Sequence, residues 1–218
     1  MKLANKLIPA ALLGSLAGPA LAHHPLAGAS METFTHGLLS GIGHPVLGFD
    51  HLAFVILVGI AAACCNKTLS APFGYIAGML AGCLLMMAGV ALPMAEIVIG
   101  ASLLFMGYLV MRGQVLSSTT IVTAFGAFGL FHGSAFGVSI VGQEAGYGFM
   151  VASGYLLGLG VAQYLIALGT ARAMQHFAKV KDAAAIHARL AGAVVAGIGL
   201  FLTLENAETA AFSILGLA

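Results

Sequence analysis

His44-Pro45-Val46-Leu47-Gly48-Phe49-Asp50-His51 heads a long apolar run, Val46–Cys65, and the reading of the whole chain turns on it. Two imidazoles and a carboxylate stand at the mouth of a would-be membrane helix. Such groups are costly there and generally serve function. Pro45 fixes its own φ and pushes His44 out of the α region. The sequence therefore predicts a break at 44–45, a new helix from about Val46, His44 on irregular backbone, and Asp50 and His51 in the second turn. Breaks of this kind line sites or cavities. Imidazole plus carboxylate, with no cysteine nearby, suits a borderline divalent cation such as Ni²⁺, Co²⁺ or Zn²⁺. A single histidine near a helix end is more often a packing or interfacial residue. Two with an aspartate, around a proline and a glycine, argue for a site.

Composition bounds the class. The chain has 218 residues, of which 61% are hydrophobic and 7% charged, with a mean hydropathy of +1.06. Soluble domains carry about 25% charged residues. The expectation is an all-α integral membrane protein embedded in a lipid bilayer. Thirty glycines and no tryptophan point to tightly packed small-residue helices. A net charge of +1 and the lack of a basic cluster give no case for nucleic acid. Cys64, Cys65 and Cys83 form no C-x-x-C motif and read as small apolar residues. No Ser-His-Asp or other nucleophile arrangement suggests an enzyme.

Residues 1–22 read as a cleaved signal peptide, with Lys2 and Lys6 before the apolar Leu7–Ala17 and an A-x-A site at Ala20-Leu21-Ala22. Cleavage would leave His23-His24-Pro25 at the new N-terminus, where amine and imidazole can chelate a metal or simply begin an export tail. Glu32–Gly43, carrying His36, is too short to span and reads as a re-entrant or interfacial helix. A bundle of six transmembrane helices follows in one domain, 23–218, with spans near 46–65, 71–92, 94–111, 117–141, 147–171 and 188–204. Gly74, Gly78 and Gly82 line one face of the second span, for close packing within the chain or against another copy in a homo-oligomer. Glu96 opens the third span. His132 lies inside the fourth, which ends at Gln143 and Glu144, and Gln163 lies in the fifth. Ala210–Ala218 is too short to cross and reads as a surface segment.

Charge orients the bundle. With the N-terminus outside, six spans return the C-terminus to the outside of a bacterial inner membrane. Lys67, Arg112, Arg172, Lys179, Lys181 and Arg189 then all fall in or beside inner loops, in accord with the positive-inside rule. Glu32, Glu96, Glu144, Glu205 and Glu208 fall at outer ends, where carboxylates raise the local concentration of cations.

The signal peptide, the His-Pro-x-x-Gly-x-Asp-His stretch and Phe131-His132-Gly133 resemble the HupE/UreJ family of nickel permeases. Glu96-Ile97-Val98-Ile99-Gly100-Ala101-Ser102 resembles the family's acidic start of the third span. The resemblance implies uptake of Ni²⁺, or in some members Co²⁺, as a transported substrate with no permanently bound cofactor, supplying nickel enzymes such as hydrogenase or urease. It carries over His36, His44, Asp50, His51, Glu96 and His132 as residues of the metal path. His23, His24, Glu144 and Gln163 are secondary candidates. Family members often place a second histidine soon after the His-Gly pair. This chain reads His132-Gly133-Ser134-Ala135-Phe136-Gly137 instead, and its fifth span offers only Gln163, which leaves nickel against cobalt open.

The expected mechanism collects the ion among outer glutamates and passes it to His44, Asp50 and His51, with His132 completing the site. Only neutral imidazoles ligate, so acid below about pH 6–6.5 should compete with metal. Release inward would pass Gln163 and the loop residues His176 and His187. Two other classes remain in view. One is a membrane metal sensor or chaperone that binds without transport. The other is a b-type haem electron-transfer subunit using His51 and His132, against which Asp50 and Pro45 stand.

Overall fold

A computed structural model describes residues 30–65, 67, 69–114, 117–142 and 148–215, and among these the regular structure is entirely helical. The elements are α1 (Phe34–Leu47), α2 (Phe49–Cys64), α3 (Ala71–Met87), α4 (Ala95–Met111), α5 (Ser118–Val141), α6 (Phe149–His176) and α7 (Ile186–Ile214). Residues 1–22, His23, His24, Gln143 and Glu144 lie outside the described residues.

The break that organises the chain is not where proline rules place it. Helix α1 continues through Pro45 to Leu47, and the turn falls at Gly48, with φ −80° and ψ 101°. His44 is therefore helical, and Asp50 and His51 sit in the first turn of α2 rather than the second. Pro45 removes one N–H from the α1 ladder near its end, a loss that tertiary packing outweighs. Gly37 and Gly41 hold α1 against the backbone of Val151 and Tyr155 on α6, which keeps the helix intact up to this point. Beyond Gly48 the axis turns by 82° into α2.

Three helix pairs close through glycine around α2. On α3, Gly74, Gly78 and Gly82 face the backbone of Val122, Gly126 and Leu130 on α5, so these helices run parallel. On α6, Gly154 and Gly158 return the contact to Phe34 and Leu38 on α1, again parallel. The third pair is antiparallel: Gly107 meets Ala196, and Gly199 meets Leu104, between α4 and α7. At each crossing a side chain would collide with backbone, so small residues are what let the axes approach. Helix α2 touches all six others and is buried nearly all round, as its unbroken apolar sequence requires.

The two ends of the bundle follow from which termini meet. The starts of α2 and α4 meet the end of α5, where Asp50, Glu96 and Ser139 share a cavity. The ends of α2 and α4 meet the start of α5 and the α6–α7 turn around Cys64, Gln114, Ile121 and Ala183. Arg189 spans that second end, donating from Nε to the Met111 carbonyl at 3.0 Å. The basic residues Lys67, Arg112, Lys179 and Lys181 belong to the loops at this end, while Glu32, Glu96, Glu205 and Glu208 belong to the opposite one.

Helices α5, α6 and α7 are each long and apolar enough to cross a membrane, and α1 with α2 pass the same test as one bent pair. This is the pattern of a multi-pass membrane protein. Helices α3 and α4 have 17 residues each. That length is about 25 Å, shorter than a hydrocarbon core of about 30 Å.

Several boundaries differ from expectation. Helix α3 stops at Met87, five residues before Leu92, in a C-terminal cap: Gly89 has φ 83°, and its N–H and that of Val90 bond to Met86 and Leu85. Helix α6 runs on through Arg172 to His176 because the loss of hydropathy does not end a helix. The chain turns only at Lys179, which has φ 54°. Helix α7 likewise continues through Glu205, Glu208 and the expected surface segment to Ile214.

Candidate metal centre

The turn at Gly48 opens a cavity of about 360 Å³ lined by His44, Gly48, Asp50, His51, Glu96, Ala135, Val138 and Ser139. Gly48 is needed here for space rather than for its dihedrals. A Cβ would lie 2.9 Å from Cδ2 of the His51 ring and 3.5 Å from Oδ1 of Asp50. Asp50 stands at the N-terminus of α2, where the helix dipole favours a carboxylate. Its side chain is 25% exposed, against 9% for His51. Glu96 is exposed on the first turn of α4, at the same end of the bundle.

Donor-bearing side chains line this space from four elements, Glu96 from α4 and the others from α1, α2 and α5. His51 Nε2 and Asp50 Oδ2 are 3.9 Å apart, too far for a hydrogen bond. Two donors each about 2.0–2.2 Å from one ion can lie up to about 4.3 Å apart, so this pair is spaced to share a cation. His44 reaches the cavity from α1, with Nε2 at 3.4 Å from Ser139 Oγ on α5. Phe136 separates the two imidazoles, edge-on to His44 at 5.2 Å between centroids and tilted against His51 at 4.2 Å. Tyr155 fixes that stretch of α5 by donating its hydroxyl to the Phe136 carbonyl at 2.9 Å.

Behind His51 lies a second polar layer. Its Nδ1 is 2.8 Å from Nδ1 of His132. His132 Nε2 is 3.1 Å from Ser102 Oγ, and Ser102 donates to the Ile99 carbonyl at 2.7 Å. His132 and Ser102 are both fully buried, and Phe54 stacks on the His132 ring at 4.3 Å. The juxtaposition of His51 and His132 was expected. The sequence reading has His132 completing the site with His44, Asp50 and His51; its ring packs behind His51 and is not among the residues that line the cavity. The two rings are in direct contact through their Nδ1 atoms.

The remaining candidates are placed elsewhere. His36 belongs to the N-terminus of α1, where its Nδ1 accepts from Glu32 N–H at 3.2 Å and its own N–H bonds to Thr33 Oγ1 at 3.1 Å. It sits two turns before His44, about 12 Å along the helix, and does not line the cavity. Gln163 is buried in α6, and both atoms of its amide lack a hydrogen-bond partner among the described residues. It too is absent from the cavity wall. No group of three His, Cys, Asp or Glu side chains among the described residues is close enough to hold a metal ion by itself. An ion here would keep water in part of its coordination shell. Sequence reasoning missed Ser102 and Ser139. Ser139 was findable, since it lies two turns after His132 on the same helix.

The family model described as HupE / UreJ protein matches residues 11–202. Protein HupE of Rhizobium leguminosarum bv. viciae is 30% identical over 193 residues, covering 87% of this chain and 94% of the relative. No solved structure matches.

Proposed function

The chain belongs to the HupE/UreJ family, and on that premise we propose that it is a permease for a divalent transition-metal ion, Ni²⁺ first and Co²⁺ second. One observation carries the reading: His44, Asp50 and His51 line one cavity at a helix break, with Glu96 contributing a second carboxylate. The reading adds that the bent α1–α2 pair and α3 to α7 make six crossings, with the acidic end outside and both termini there. Its further parts are a signal peptide that ends at Ala22 and residence in a bacterial inner membrane.

The ion is drawn to the mouth by Glu96 and enters with part of its hydration shell, for which the cavity has room. Asp50 then supplies charge that offsets dehydration, and His51 and His44 exchange imidazole nitrogen for water. His/carboxylate/water sets suit nickel and cobalt without excluding zinc. Gln163, buried with its amide unpartnered among the described residues, lies further along α6 as a polar group on the way in. His36, at the N-terminus of α1, stays outside the ligand set in this reading.

The test is ⁶³Ni²⁺ uptake into cells or vesicles by wild type, Asp50→Ala and His51→Ala at matched membrane expression, with Co²⁺ as competitor. Uptake should fall at least tenfold in both variants, as loss of a direct ligand implies. Equal uptake in all three removes the proposal. Binding without uptake in the wild type would favour a sensor or chaperone.

A further inference from the structure

We infer that Ser102 and His132 are positioning residues that set the tautomer of His51, so that His51 meets the ion through Nε2 while His132 stays off the metal. This rests on the cavity being the ion's site. It goes beyond that reading by assigning a role to a serine on α4 and by taking the intramembrane histidine out of the ligand set.

The argument is a count of protons along one chain of contacts. Ser102 has a single hydroxyl hydrogen and donates it to the Ile99 carbonyl at 2.7 Å. Its oxygen therefore faces His132 Nε2, at 3.1 Å, as an acceptor, and Nε2 must carry the proton. A neutral imidazole has one N–H, so His132 Nδ1 is bare. The 2.8 Å contact between the two Nδ1 atoms then requires the proton on His51. With Nδ1 protonated, the neutral His51 ring has its lone pair on Nε2, the nitrogen 3.9 Å from Asp50 Oδ2. An unprotonated ring nitrogen and a carboxylate oxygen at that spacing can share one cation.

The arrangement follows the general rule that the hydrogen bond made by one ring nitrogen decides which nitrogen takes the metal. Partners of this kind are worth about 10–100-fold in metal affinity. The buried layer is built for the task. Ser102, on the second turn of α4, ties its hydroxyl to its own helix, so its orientation does not depend on the imidazole. Phe54 holds the His132 ring in place from α2. A buried serine whose only work was packing would not need to stand at 3.1 Å from an imidazole nitrogen.

The test uses the full-length chain, labelled with ¹⁵N-histidine and reconstituted in lipid. Imidazole ¹⁵N shifts distinguish Nδ1–H from Nε2–H tautomers, and His51→Ala and His132→Asn assign the two rings. Without metal, the wild type should show His51 as the Nδ1–H form and His132 as the Nε2–H form. Ni²⁺ titrated into unlabelled protein should bind Ser102→Ala about tenfold more weakly than wild type, at an unchanged thermal midpoint. His132→Asn, whose amide can still accept from His51, should retain more affinity than His132→Ala. The inference is overturned if wild-type His51 carries its proton on Nε2, or if Ser102→Ala binds Ni²⁺ as tightly as wild type. Absence of Ni²⁺ binding in the wild type would instead sink the permease reading, while the tautomer spectrum would still decide the relay.

Discussion

Glycine does opposite work in the α1–α2 turn and in the α3–α5 pair. Along α3–α5, Gly78, Gly82, Gly129 and Gly133 remove side chains so that two helices can touch backbone to backbone. At Gly48 the missing side chain leaves a space that the His51 ring enters, and the cavity opens beside it. One set closes the bundle and the other opens it. The difference teaches that the glycine count of a membrane chain does not by itself separate fold from site. What separates them is whether the absent Cβ would meet backbone or a functional side chain.

The largest effect should come from refilling a closed crossing. Gly82→Leu places its side chain against the Leu130 carbonyl, with no flexible group to yield. Overpacking of this kind costs about 3 kcal/mol or more, and the variant should lose its monodisperse peak in size-exclusion chromatography. A normal peak would mean that α3 and α5 are not held as described. An intermediate effect is expected from Gly48→Ala. A φ of −80° suits any residue, so the backbone is not strained, but the new methyl must displace the His51 ring. The protein should fold and bind Ni²⁺ about tenfold more weakly, as read by calorimetry. If Gly48→Ala instead fails to fold, the contrast between opening and closing glycines is gone. The smallest effect should belong to the double variant Cys64→Ala, Cys65→Ala at the other end of α2. Uptake within about twofold of wild type is expected, because the proposed site offers a borderline ion imidazole and carboxylate rather than thiolate. A larger loss would extend the metal path to that end.

Much of the buried polar cluster was legible from residue type alone. Ionisable groups are scarce in an apolar chain, so His44, Asp50, His51 and His132 stood out before any geometry was known. The every-fourth-residue glycines of α3 likewise announced a packed face. Other features were hidden for physical reasons. Pro45 is a strong local signal, yet α1 ignores it because packing on α6 through Gly37 and Gly41 outweighs one missing hydrogen bond. His36 looked like its neighbours in sequence, but it serves the N-terminus of α1. Ser102 was invisible, since its role depends on an imidazole thirty positions away.

The sequence by itself determined that the chain is helical and apolar, that its charges divide between two ends, and that a few polar groups had to be explained. These follow from composition and from periodicities that act within a turn or two of the chain. Tertiary structure alone decided that the break falls at Gly48, that His51 stands between His132 and the cavity, and which serine backs them. Those outcomes depend on contacts between residues far apart in the chain, where a shift of a few ångströms separates a group that lines the cavity from one that stands behind it.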